Sequence, residues 1–151
     1  MSNDKIPVFI ADDSEMVIEA ITALTASDPS IEIVGPCGNG LEVLDQIRAS
    51  QPKVLVLDIS LPGLNGLEVC RLLKAQVPMT SVLMLSMHTN ERCVLDALRR
   101  GASAYIGKES VAEELCEAVH AISRGEIYLG QGIPRSVLAL MNPEHPASRA
   151  G

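Results

Sequence analysis

Aromatic side chains are nearly missing from this sequence: its 151 residues include no Trp, one Phe (Phe9) and two Tyr (Tyr105 and Tyr128). That is too few to build a platform on which nucleobases stack. Basic charge is also short. Lys and Arg number 12 against 19 Asp and Glu, for a net charge of −7, and the first 123 residues hold 9 basic against 17 acidic groups. Such a surface repels phosphate backbones, so direct nucleic-acid contact by this segment is excluded. No apolar run approaches the ~20 residues needed to cross a bilayer. The opening stretch, MSNDKIPVFIADDSE, has one Lys and too short an apolar run for a secretory signal. The four cysteines, Cys37, Cys70, Cys93 and Cys116, include no C-x-x-C pair. They are expected as reduced thiols acting as small core hydrophobes, not as zinc ligands or a redox pair. The expected location is the cytoplasm, with no membrane association.

What the chain does have is apolar residues, 47% of the total, with 21% charged. At this length one domain can bury close to 70% of its unfolded surface without disulfides or metal. Five short apolar runs divide the first 107 residues: IPVFIA (6–11), IEIV (31–34), KVLVLD (53–58), SVLMLS (81–86) and ASAYIG (102–107). Runs such as Val54–Leu57 and Val82–Leu85 are continuously apolar, as in strands covered on both faces. Between the runs the apolar spacing is helical, and in 110–123 it aligns Val111, Leu115, Ala118, Val119 and Ile122. Pairs such as Asp28-Pro29, Gly35-Pro36, Gln51-Pro52 and Pro62-Gly63 are expected as turns. Strict strand–helix alternation predicts an α/β fold with a doubly wound parallel sheet and helices on both faces. In such sheets ligands sit beyond the carboxyl ends of the strands, where strand order reverses.

Chemistry-bearing residues cluster at those ends. The first strand runs into Asp12-Asp13, the third into Asp58, the fourth into Ser86 and the fifth into Lys108. Singly, each has an ordinary reading: Asp12 with Glu15 as a helix cap, Asp58 as a loop carboxylate, Ser86 as a turn residue, Lys108 as an exposed charge. Together they fit one reaction. Crowded carboxylates resist ionising unless a cation joins them, and Mg²⁺ takes one or two carboxylates, waters and phosphate oxygens. A carboxylate such as Asp58 attacks phosphorus as a nucleophile to form an aspartyl phosphate. Ammonium and hydroxyl groups around it stabilise the charge on the transferring group.

These residues resemble the receiver domain of bacterial two-component response regulators. The resemblance covers about residues 5–123 and rests on Asp12-Asp13, VLVLDISLPGLNGLE (54–68), MLSMH (84–88) and GASAYIGKES (101–110). It implies a flavodoxin-like (CheY-like) five-stranded sheet in the order 2-1-3-4-5, the arrangement known for such domains. It implies that Asp58 accepts a phosphoryl group from a sensor histidine kinase. Asp12, Asp13, Asp58 and the backbone carbonyl of Ser60 would hold Mg²⁺, with Ser86 and Lys108 on the phosphoryl group. Tyr105 would swing inward as Ser86 moves. Ser60 and His88, two residues beyond Asp58 and Ser86, would tune the lifetime of the phosphoaspartate. Pro62, Gly63 and Gly66 would form a tight bend after the acceptor. The domain would be a switch, not an enzyme, and would form a homodimer on activation; Leu95, Leu98 and Arg99 on the fourth helix, with the exposed side of 110–123, are candidates for a phosphorylation-sensitive surface that meets another copy or an output domain.

GASAY, the phrase SRGEIYLG (123–130) and a short helix over 134–140 narrow the resemblance to transcription regulators with a LuxR-type (NarL/FixJ-like) helix-turn-helix. Residues 1–123 are then the receiver domain. Residues 124–151 form a linker, with Pro134 in the first turn of the helix, Asn142-Pro143 ending it and a flexible tail beyond. The DNA-reading domain is missing from this chain, so contact with DNA would pass through that absent output domain. A stand-alone receiver in a phosphorelay is the alternative. A metal-dependent phosphohydrolase is more remote, because it needs a second acid two residues after the nucleophile, where this chain has Ser60, and a substrate-covering cap. A flavodoxin-like cofactor binder lacks the aromatics to sandwich a ring. Gly107 departs from the pattern: receivers usually place a bulky apolar residue there, and its loss is expected to loosen the loop that aims Lys108. His120 and His145 are expected to be solvated, without partners.

Overall fold

The structure, a computed structural model, describes residues 5–141. Five strands and five helices alternate: β1 (Ile6–Ala11), α1 (Glu15–Thr25), β2 (Ile31–Cys37), α2 (Gly40–Ser50), β3 (Val54–Asp58), α3 (Gly66–Gln76), β4 (Ser81–Ser86), α4 (Glu91–Arg99), β5 (Ala104–Gly107) and α5 (Val111–Ser123). A single 3₁₀ turn, Lys108–Ser110, joins β5 to α5. All strand pairs are parallel, and the expected order 2-1-3-4-5 is present with one strand added at its end. That strand, β6 (Tyr128–Leu129), pairs with β5 and is followed by a five-residue helix, α6 (Val137–Met141).

Alternation along the strands divides the core. Val8, Ile10, Val54, Val56, Leu83, Leu85, Ala104 and Ile106 face α1 and α5. Phe9, Leu55, Leu57, Met84 and Tyr105 face α2, α3 and α4, where Val43, Val69, Cys70, Leu73, Val94 and Leu98 meet them. With both faces covered, β3 and β4 have almost no exposed side chains, which is why their sequences read as unbroken apolar runs. Burial pushes the Cys70 thiol up to about 12, as suits a cysteine serving as core. Asparagines begin three helices: the side chains of Asn39, Asn65 and Asn90 accept from the backbone N–H of Leu41, Leu67 and Cys93.

Three expectations change. Gly35-Pro36 is not a turn but the middle of β2. The register slips there, with Ile33 opposite Val8 but Pro36 opposite Ile10, so β2 carries one extra residue. Gly35 is required because a Cβ would lie 2.6 Å from the Phe9 ring. Next, the segment after residue 123 does not leave the domain. Tyr128 N–H donates to the Ser103 carbonyl and Gly130 N–H to that of Tyr105, while Leu129, Ile133 and Val137 are buried. Finally, the last helix begins at Val137, so Pro134 lies before its first turn; Leu138 N–H instead closes a turn on the Arg135 carbonyl. The tail from Asn142, with the Asn142-Pro143 stop and His145, lies outside the described residues.

Candidate functional site

The strand ends deliver their side chains to one edge of the sheet. Asp12 follows β1, and its N–H donates to the Cys37 carbonyl at the end of β2. Its Oδ1 accepts from Ser14 N–H at 2.9 Å. Ser14, not Asp12, caps α1, with its hydroxyl accepting from Val17 N–H. The capping reading therefore leaves Asp12 Oδ2 unexplained: that oxygen is buried and has no hydrogen-bond partner. Asp58 closes β3, buried, with Oδ1 accepting from Ser60 N–H at 3.0 Å. Asp13 is exposed beside them. One oxygen from each of Asp12, Asp13 and Asp58 lies within 4.8 Å of the others, close enough to share one ion.

Lys108 reaches this trio from the turn after β5. Its Nζ is 3.1 Å from Asp58 Oδ2 and 3.4 Å from Asp12 Oδ2, the second contact an ion pair outside hydrogen-bond geometry. Burial pushes the Asp12 carboxyl up from its ordinary range, and the Asp58 charge adds to this; the Ser14 amide and Lys108 only partly offset it. Burial alone would pull Lys108 down, but its bond to Asp58 and the charges of Asp12 and Asp58 outweigh that and raise it. The site thus holds three acids against one ammonium. That donor set fits Mg²⁺, a hard cation that prefers carboxylate oxygen.

The loop after Asp58 folds back over the strand it leaves. Gly66 N–H donates to the Ile59 carbonyl at 2.9 Å, and a Cβ on Gly66 would lie 2.4 Å from the Asp58 carbonyl oxygen. Gly63 turns with φ of +85°. The bend read from Pro62, Gly63 and Gly66 is present, and it pins the backbone of Asp58.

On the neighbouring strand, Ser86 is buried and its Oγ accepts from His88 N–H at 2.9 Å. Tyr105 is wholly buried, and its hydroxyl donates to the His88 carbonyl at 2.5 Å. Its side chain is thus directed into the core, against the loop that follows β4. The His88 and Ser60 side chains are exposed beside the site.

Elsewhere the structure departs from what the sequence predicts. Leu98 is core, only 3% exposed; Leu95 is half-buried and Arg99 exposed. Arg99 donates to the Leu140 carbonyl, and Ser136 donates to the Glu91 carboxylate, so α6 lies along α4. His120 is not without partners: Nε2 lies 2.9 Å from Asp28 Oδ2 and 3.2 Å from Ser30 Oγ, tying α5 to the turn before β2. Asp28 is held below the usual carboxylate range, first by the Ser30 hydroxyl and then by His120. Glu114 is a polar anchor that the sequence pattern does not single out. Buried, it accepts from the Tyr128 hydroxyl and, through both oxygens, from Gln131 N–H. The available signal is an acid three residues after Val111, on the apolar stripe of α5.

A parallel sheet wound on both faces, with three carboxylates and a lysine meeting beyond the ends of its strands, defines a doubly wound α/β domain with an acidic site at one sheet edge. Comparison with known proteins narrows that class. The chain belongs to the response regulator receiver domain family, which matches residues 8–120. It is 36% identical over 136 residues to the DNA-binding transcriptional activator DevR/DosR of Mycobacterium tuberculosis, covering 90% of this chain and 61% of that protein. It is 30% identical over 134 residues to the nitrate/nitrite response regulator protein NarL of Escherichia coli, covering 88% and 62%. Among solved structures, a LuxR-family two-component response regulator from Aurantimonas superposes with a TM-score of 0.83 at 27% identity, over 89% of this chain and 96% of that one. The chain spans about three fifths of the length of these curated relatives. It is a receiver domain of the NarL/LuxR type of response regulator. No helix among the described residues is long and apolar enough to cross a membrane.

Proposed function

We propose that this domain is a phosphoaspartate switch, with Asp58 as acceptor and a sensor histidine kinase as donor. The observation that carries this reading is the convergence of Asp12, Asp13 and Asp58, with carboxylate oxygens within 4.8 Å of one another, beside the ammonium of Lys108. Asp12, Asp13 and Asp58, with the Ser60 carbonyl, would hold Mg²⁺, which supplies positive charge to phosphoryl oxygens when bound. An Asp58 carboxylate oxygen bonds to phosphorus as the phosphorus–nitrogen bond to the kinase histidine breaks, and the departing imidazole takes up a proton. Lys108 and Ser86 then contact the new oxygens, and that contact biases α4, β5 and α5 toward the arrangement that signals. His88 and Ser60 flank the approach of the water that later cleaves the acyl phosphate.

The receiver controls a following DNA-binding output segment, as its similarity to transcriptional regulators suggests, and forms a homodimer when phosphorylated, in the cytoplasm. Asp58→Asn tests the acceptor. Mg²⁺-dependent labelling by acetyl phosphate, followed by intact-mass spectrometry, should disappear in the variant. Undiminished labelling at another residue refutes the assignment.

A further inference from the structure

The short stretch from Cys37 to Gly40, which joins β2 to α2, lies between the two loops that carry the acids of the site. At one end the Cys37 carbonyl accepts from Asp12 N–H at 3.0 Å, and a Cβ on Gly38 would lie 3.3 Å from Asp13 Cα. At the other end Gly40 N–H donates to the Pro62 carbonyl at 2.9 Å. That carbonyl also accepts from Leu64 N–H, so the bend after Asp58 closes on the same atom. The fit is tight. A Cβ on Gly40 would lie 2.0 Å from the Leu64 carbonyl oxygen, and one on Gly63 would lie 2.6 Å from Asn39 Oδ1. The two loops therefore interlock, and each is rooted in the same core by a buried side chain, Cys37 on one and Leu61 on the other. Three residues of chain reach at most about 11 Å. The stretch from Cys37 to Gly40 thus limits how far the Asp12-Asp13 pair can stand from the bend that follows Asp58.

We propose that Gly40 is a positioning residue for the divalent cation. Acting through the Pro62 and Leu64 carbonyls, it holds the β3–α3 loop, and with it the Ser60 carbonyl, at the separation from Asp12 and Asp13 that one ion requires. The proposal rests on the reading that these groups hold Mg²⁺. That ion demands near-octahedral geometry at about 2.0–2.1 Å, which leaves little room for ligands that drift apart. A methyl at position 40 cannot be absorbed by a rotating side chain, because what it meets is backbone, so the two loops must part. Coupling of this kind is reciprocal: an interlock that favours the bound ion is itself favoured by the ion, and by the same factor.

A Mg²⁺ titration followed by NMR at the amides of residues 12, 13 and 58–60 reads the affinity directly. Gly40→Ala should raise the Mg²⁺ Kd tenfold or more, since losing the outer support of a metal ligand costs roughly 10–100-fold. Ile47→Ala, a truncation of a buried side chain further along α2, supplies the comparison. It should lower stability as well, yet leave the Kd within twofold of the unaltered chain. An equal loss in both variants would mark Gly40 as merely structural and overturn the proposal, as would unaltered affinity in Gly40→Ala. Hydrogen exchange in the unaltered chain gives a second reading that decides the matter even if Gly40→Ala does not fold. Saturating Mg²⁺ should slow exchange of the Gly40 amide tenfold or more. The Gly125 amide, bonded to the Ile122 carbonyl at the end of α5, should be unaffected. A Gly40 rate that ignores Mg²⁺ bound at the site overturns the proposal and spares the metal reading. Amides at 12, 13 and 58–60 that do not respond to Mg²⁺ in the unaltered chain refute the metal reading and the proposal together.

Discussion

Replacing Lys108 with Met removes the single ammonium from the acid trio while keeping its aliphatic bulk. Lys108 Nζ stands 3.1 Å from one buried carboxylate and 3.4 Å from another. At an effective dielectric constant of ~20, each pair is worth about 5 kcal/mol of Coulomb attraction before desolvation is subtracted. Removing one partner from a buried pair costs roughly 3–5 kcal/mol. Lys108 keeps 21% of its side-chain surface exposed, which places the loss toward or below the lower end, at about 2–3 kcal/mol. Lys108 is raised in the fold, so its contribution is complete below its unfolded pKa and is lost only as pH rises through the folded one; at pH 8 it is fully present. Urea unfolding at pH 8 in EDTA should therefore show a midpoint lower by about 1 M, at an m-value of ~2 kcal/mol/M. Two further measurements separate this from ordinary core damage. Without the ammonium, the buried Asp12 carboxyl is raised further above its unfolded value, so the penalty is full above its folded pKa and fades as acid protonates it. Mg²⁺ at a hundred times its Kd should return about 2.7 kcal/mol. A loss of equal size at pH 8 and pH 5, unmoved by Mg²⁺, would refute the electrostatic account of the site.

Two other substitutions probe its supports. Gly66→Ala drives a methyl against the Asp58 carbonyl, backbone that cannot rotate away. It should cost about 3 kcal/mol, the upper end for overpacking, and slow acetyl phosphate labelling at least tenfold; labelling at the wild-type rate would show that the bend does not position the acceptor. Glu114→Ala strips the carboxylate that holds Tyr128 and the Gln131 amide. We expect a loss of about 2 kcal/mol, the range for hydrogen bonds to a charged group, with faster hydrogen exchange at Gln131 and Tyr128 and unchanged protection in β1 and β3.

The parallel sheet is legible in the sequence because burial on both faces makes its central strands continuously apolar, and the acid pocket because its residues stand where strands end. What escapes reading depends on contacts between distant positions. Gly35-Pro36 looks like a turn until Phe9 is known to press on Gly35. β6 is two residues long, too short for periodicity, and it exists because Glu114 and β5 receive it. His120 gains partners from Asp28 and Ser30, some ninety residues away. Gly107 stands out as an exception to the pattern, but its nearness to Thr89 is not visible in sequence spacing.

The two borders of the sheet have a consequence for how the molecule meets others. On one side the outermost strand is kinked by an extra residue and carries Pro36, which has no N–H to offer. On the other, the outermost strand stops after two residues. Neither border templates the addition of a foreign strand, the usual route to fibrils and runaway aggregation. A protein built this way offers its helices and loops, more than its sheet borders, as surfaces for contact.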